Sequence, residues 1–127
     1  MNRDAKSKSN TSKVSTKKGI PYYASPLVAI QNKIITLTAQ IENMPCSLTY
    51  YCRGCAYYHV GKYPEAIADL SMAIKLDPDY AEAYEYRAYA YYWLAKYALA
   101  WSDIHAAQDL GSGVSRQFLE YLKDVSL

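Results

Sequence analysis

The sequence predicts an all-α fold of about six helices with no sheet, and two observations carry the prediction. The first is an internal repeat. Ser47–Tyr80 laid over Ala81–Val114 without a gap gives identical pairs at Tyr50/Tyr84, Arg53/Arg87, Ala56/Ala90, Tyr57/Tyr91, Tyr58/Tyr92, Lys62/Lys96, Tyr63/Tyr97, Ala66/Ala100, Asp69/Asp103, Ala73/Ala107 and Leu76/Leu110. A fixed period of this size marks stacked supersecondary units, none of which can bury its apolar face alone. The second is spacing: apolar residues recur every three or four positions and are broken only by Pro and Gly, the period of helices facing a core.

Each element then follows in order. Residues 1–19 are Ser, Thr, Lys and Asn with almost no large apolar side chain, so they are expected to form a disordered basic tail. They contain no hydrophobic secretory core. An import signal for an organelle is the lesser alternative to a cytoplasmic protein. Ile20–Ser25 reads as an extended lead-in, with Ser25 as N-cap and Pro26 in the first turn of a flanking helix over 26–43. Leu27, Ile30, Ile34, Leu37 and Ile41 make one stripe on it, suited to packing on the next helix, with a homodimer as the alternative. Tyr50–Val60 is the next predicted helix, closed by Gly61, and Pro64 starts another over Glu65–Leu76, stopped by Asp77–Pro78–Asp79. Ala81–Leu94 and Tyr97–Leu110 repeat that plan. Gly111–Ser112–Gly113 ends it, and Val114–Val125 is a capping helix with Phe118, Leu119 and Leu122 on its apolar side. The domain therefore spans 20–127, with repeats at 47–80 and 81–114.

Composition narrows the function classes. The tail holds six Lys or Arg against one acid, leaving eight basic and eleven acidic side chains, a net of −3, for the rest of the 127 residues. A mildly acidic folded part argues against a specific nucleic-acid surface. Fifteen Tyr beside one Phe suits half-buried contact surfaces, where a ring packs and its hydroxyl reaches a polar neighbour. Three Cys point to a reducing compartment rather than a disulfide framework. No run approaches the ~18 apolar residues that a membrane span needs. No phosphate loop, nucleophile elbow or close carboxylate pair is present, so a non-enzymatic role without a cofactor is expected.

With Tyr50, Gly54, Tyr57, Ala66, Ala73 and Pro78 in the first unit, and Tyr84, Ala88, Tyr91, Ala100 and Ala107 in the second, the repeat resembles the tetratricopeptide repeat. The segment Gly61–Tyr84 carries the resemblance most specifically, and Ser112 stands where Pro would close the second unit. The resemblance implies a right-handed α-solenoid with small residues where paired helices touch. Flanking helices would complete a stack that two units alone leave marginal. Arg53 and Arg87 depart from the aliphatic residue expected there, and each has an acid sixteen positions later, Asp69 or Asp103. Either an Arg–Asp link joins the helices of each unit, or all four side chains are solvated.

The resemblance also implies a protein-interaction module, an adaptor or assembly factor, that holds a partner segment in a concave groove lined by the first helix of each unit. Transferred to this sequence, the groove comprises Leu48, Tyr51, Cys52, Cys55, Tyr58 and His59, then Glu82, Glu85, Tyr86, Tyr89, Tyr92 and Trp93. It is aromatic with an acidic end, which favours a protein or peptide with basic or aromatic side chains. The subclass that clamps chaperone C-terminal carboxylates with Lys, Asn and Arg is disfavoured, because Glu82 and Glu85 would repel such a ligand. The alternative is a metal- or thiol-dependent sensor: Cys52, Cys55 and His59 share a helix face at spacings of three and four and could meet one Zn²⁺.

Overall fold

A computed structural model describes residues 25–126; the expected tail and the lead-in up to residue 24 lie outside them. Six helices follow one another: α1 (Pro26–Asn43), α2 (Ser47–His59), α3 (Tyr63–Leu76), α4 (Ala81–Trp93), α5 (Tyr97–Asp109) and α6 (Arg116–Ser126). No strand occurs among the described residues. Each helix packs mainly on its sequence neighbours, with a further contact between α2 and α4, as in a solenoid.

Local chemistry sets the ends. Ser25 is the N-cap of α1, its hydroxyl accepting from the Val28 N–H at 3.3 Å, with Pro26 in the first turn as expected. Three predicted starts shift, those of α2, α3 and α6. Helix α2 begins at Ser47 rather than Tyr50, because Thr49 closes its N-terminus: Thr49 donates to the Cys46 carbonyl at 2.9 Å and accepts from the Cys46 N–H at 3.3 Å. Helix α3 begins at Tyr63, which places Pro64 in its first turn. Helices α2, α4 and α5 each stop a residue earlier than expected, and α6 runs from Arg116 to Ser126.

The three inner helix ends share one geometry. The Lys62 N–H donates to the Tyr57 carbonyl at 2.9 Å and the Gly61 N–H to Tyr58 at 3.0 Å; Lys96 and Ala95 do the same onto Tyr91 and Tyr92, and Ser112 and Gly111 onto Ala107 and Gln108. Such a terminus needs a left-handed residue. Gly61 and Gly111 supply it with φ of 80° and 91°, but the second repeat uses Ala95 at φ 59°. The repeat plan therefore holds there at the expense of a Cβ in an unfavourable conformation.

The core is unusually fine-grained. Ala56, Ala66, Ala73, Ala83, Ala88, Ala90, Ala100 and Ala107 are buried, beside Leu37, Ile41, Leu70, Ile104 and Leu122. So many small residues let backbones approach closely, and the Tyr rings cover the margins. At Gly54 the approach is closest: a Cβ there would lie 2.8 Å from Leu70 Cγ and 3.3 Å from the Ala66 carbonyl oxygen. The second copy pairs Ala88 with Ile104 instead, so a change in one position goes with a change in its neighbour. Leu122 of α6 completes the second cluster with Ala88, Ala100 and Ile104.

Helix α1 serves the other end. Leu37 and Ile41 are buried, but Leu27 remains 54% exposed, so only the later half of the stripe is covered. The Arg–Asp question resolves to linkage. Arg53 donates from Nε and Nη2 to Asp69 at 2.7 and 2.8 Å, and from Nη1 to Thr38 of α1 at 3.2 Å. Arg87 donates to Asp103 at 2.7 Å twice, and from Nη1 to Ser71 of α3 at 2.9 Å.

The left-handed Ala95 generates a prediction. Ala95→Gly is expected to raise stability by about 0.5–1 kcal/mol, and Gly61→Ala to lower it by a similar amount. Urea denaturation of the two variants checks the opposite signs.

Candidate functional site

Apart from Leu48, Glu82 and Glu85, the expected binding residues gather on the face shared by α2 and α4. Because side chains three and four apart lie on one side of a helix, Tyr51, Cys55 and Tyr58 of α2 oppose Tyr86 and Tyr89 of α4. The rings form a continuous run. Tyr51 stacks on Tyr80 at 4.8 Å and meets the edge of Tyr86 at 5.9 Å; Tyr58 meets Tyr86 at 5.6 Å and Tyr89 at 6.1 Å; Tyr89 meets Phe118 of α6 at 4.6 Å. These are the offset and edge-on arrangements that ring quadrupoles favour. The Trp93 indole N–H donates to the Tyr58 hydroxyl at 3.1 Å and its ring stacks on Tyr63 at 6.2 Å.

Two concavities open on this face. One, of about 270 Å³, is lined by Tyr51, Cys52, Cys55, His59 and Tyr86 together with Ile30 and Lys33 of α1. The other, of about 290 Å³, is lined by Tyr58, Tyr89, Tyr92 and Trp93 together with Ser115, Gln117, Phe118 and Tyr121 of the cap. The flanking segments thus supply half the wall of the second concavity and a smaller part of the first, and the first helices of the two units alone do not account for Lys33, Phe118 and Tyr121. The aromatic spacing of Phe118 and Tyr121 is the available signal; Phe118 is expected on the apolar side of the cap, and nothing in the sequence singles out Tyr121.

The acidic end of the groove also needs correction. Glu82 is exposed, but Glu85 is half-buried and turned to its own neighbours, accepting from the Tyr89 hydroxyl and from Ser112 Oγ at 2.8 Å. Ser112, which stands in place of the repeat's closing Pro, therefore has a partner of its own. Neither glutamate lines either concavity, and the cation Lys33 lines one of them.

Burial dominates the acid–base behaviour of the face. It pushes the phenols of Tyr51, Tyr58, Tyr86 and Tyr89 up, and that of Tyr80 up to about 12, so all stay protonated near neutral pH. It likewise pushes the Cys55 thiol up to about 11, against a hydrogen bond with Tyr51 that acts the other way. Cys46 differs: exposed at the start of α2, its thiol is lowered by hydrogen bonding with Thr49. Cys52, Cys55 and His59 share a wall, yet no group of three His, Cys, Asp or Glu able to hold a metal forms among the described residues. Cys52, Cys55 and His59, the candidate ligands of the alternative reading, do not form such a group.

A family model described as tetratricopeptide repeat matches residues 47–80, the first of the two copies. Residues 47–80 are thus matched as a tetratricopeptide repeat. No curated protein matches it by sequence. Among solved structures, one described as the first TPR of Spaghetti (RPAP3) bound to HSP90 peptide SRMEEVD superposes with a TM-score of 0.70 at 23% identity, covering 77% of this chain and 78% of that one. At that identity the likeness establishes the shared solenoid. The neighbour holds an acidic chaperone peptide, so the comparison lends no support to setting that ligand class aside. The inward turn of Glu85 and the presence of Lys33 remove part of the electrostatic ground for doing so. Among the described residues, no helix is long and apolar enough to cross a membrane.

Thiol chemistry gives the prediction. At pH 8 iodoacetamide is expected to label Cys46 first and Cys55 last, and Cys55 labelling should rise with pH up to about 11. Peptide mapping after timed alkylation reads the order.

Proposed function

We propose that the chain is a protein-interaction module that takes an extended segment of a partner across the face shared by α2, α4 and α6, and works by binding rather than by chemistry of its own. The observation that carries this is the unbroken aromatic run from Tyr80 through Tyr51, Tyr86 and Tyr89 to Phe118, flanked by two open concavities. Half-exposed Tyr and Trp are the side chains that supply most binding energy at interfaces, since they bury large area and lose little conformational freedom. The peptide held by a structural neighbour supports the same use of the fold. Phenols and a thiol that stay protonated near neutral pH suit recognition better than nucleophilic attack.

The proposed partner segment carries basic or aromatic side chains, because ring faces attract cations and Glu82 adds negative charge at one end. Selection of peptides against the immobilised full chain, followed by titration of the best binders, tests the reading. Tyr86→Ala and Trp93→Ala should each weaken binding by at least tenfold while leaving the helical content unchanged. The peptide SRMEEVD serves as competitor and should bind more weakly than the selected sequences. Affinity unchanged in both variants would move the binding surface elsewhere, and tighter binding of SRMEEVD would reverse the charge preference.

A further inference from the structure

The molecule holds its own arginines in a repeated way. The Arg53 guanidinium carbon lies 5.9 and 5.8 Å from the ring centroids of Tyr50 and Tyr57 while gripping Asp69, and that of Arg87 lies 5.7 and 5.9 Å from Tyr84 and Tyr91 while gripping Asp103. Two phenol rings and one carboxylate make the receptor each time.

The cleft between the C-terminal ends of α2 and α4 and the cap has rings on its walls, a carboxylate behind one of them rather than on the wall itself, and no arginine. Rings come from three helices: Tyr58, Tyr89, Tyr92, Trp93, Phe118 and Tyr121. The carboxylate is Glu85, one hydrogen bond behind the ring of Tyr89. Its partners, Tyr89 and Ser112, are neutral, and it belongs to neither of the two ion pairs among the described residues. A half-buried carboxylate with only neutral donors keeps its negative charge, here one ring away from the cleft. Gln117, whose amide donates to the Tyr121 hydroxyl at 2.8 Å, and Ser115 add polar acceptors at the rim.

We propose that this cleft is the receptor for an arginine side chain of the partner segment, stacked on the rings with Glu85 as countercharge. The assignment rests on the reading of this face as a peptide-binding surface. Arginine fits better than lysine because no carboxylate lines the cleft directly. A strongly hydrated ammonium would lose its water without replacement, whereas a planar, weakly hydrated guanidinium stacks on aromatic faces.

The test uses the ¹⁵N-labelled full chain and two small probes of equal shape, N-acetyl-arginine methylamide and its neutral citrulline counterpart, with the lysine analogue as third. The Trp93 indole N–H resonance should shift saturably with the arginine probe, at an affinity about tenfold above those of citrulline and lysine. Glu85→Gln should bring arginine to within about twofold of citrulline, Trp93→Leu, with binding followed by the backbone amides of Tyr89 and Phe118, should weaken it severalfold, and Glu65→Gln on the far helix α3 should change nothing. Equal affinity for arginine and citrulline, tighter binding of lysine, or shifts confined to other residues would overturn the assignment. The two readings can fail separately. Peptide capture insensitive to Tyr86→Ala and Trp93→Ala defeats the surface, while equal arginine and citrulline binding defeats only the receptor.

Discussion

Each repeat is tied by an arginine that reaches three helices at once, and the rest of the stack is arranged around that reach. Arg87 lies on α4, grips Asp103 on α5 with two parallel hydrogen bonds, and spends its remaining arm on Ser71 of α3. Arg53 does the same from α2 to Asp69 on α3 and Thr38 on α1. The aspartates are nearly buried, with side chains 7% and 6% exposed, and the arginines about a fifth exposed. Both guanidiniums are held above the ordinary arginine range: Arg53 chiefly by its hydrogen bond to Asp69, and Arg87 against the opposing pull of burial through its bond to Asp103. A planar fork that satisfies a carboxylate and a third helix together fixes register as well as distance. That matters here because an alanine-rich core is smooth and offers few interlocking shapes of its own.

The same reach explains how α1 joins the array. Thr38 precedes Arg53 by fifteen residues, whereas Ser71 precedes Arg87 by sixteen. The connection from α1 to α2 is Met44–Cys46 and that from α3 to α4 is Asp77–Tyr80, one residue longer, so the hydroxyl falls one position differently in sequence but at the same place in space. Helix α1 is thus the second helix of a half unit, and α6 takes the place of a following first helix. With both ends covered, the face shared by α2 and α4 can keep its rings half-exposed and available.

The repeat, the helix order and the small-residue seams were legible in the sequence because each is a local or periodic constraint. The Arg–Asp pairs were legible as one of two alternatives, since matching positions in both copies suggested a link that spacing alone cannot decide. What stayed hidden was whatever depends on neighbours distant in sequence: Lys33 and Tyr121 on the walls of the two concavities, Glu85 turned to Ser112, and Thr38 as a partner of Arg53. Ala95 was hidden for another reason. The repeat imposes the first unit's turn on a residue that does not favour it, and identity at the flanking positions prevails over local preference.

The central claim is that the Arg–Asp pairs hold the stack together as desolvated, multiply hydrogen-bonded units rather than as ordinary surface ion pairs. A double-mutant cycle of Arg87→Met and Asp103→Leu in the full chain, followed by urea denaturation, tests it most directly. Each single change should cost about 3–5 kcal/mol by leaving a charge without its partner, and the double change should cost far less than their sum. Single costs below about 1 kcal/mol with additive effects, as for an exposed pair, would contradict the account.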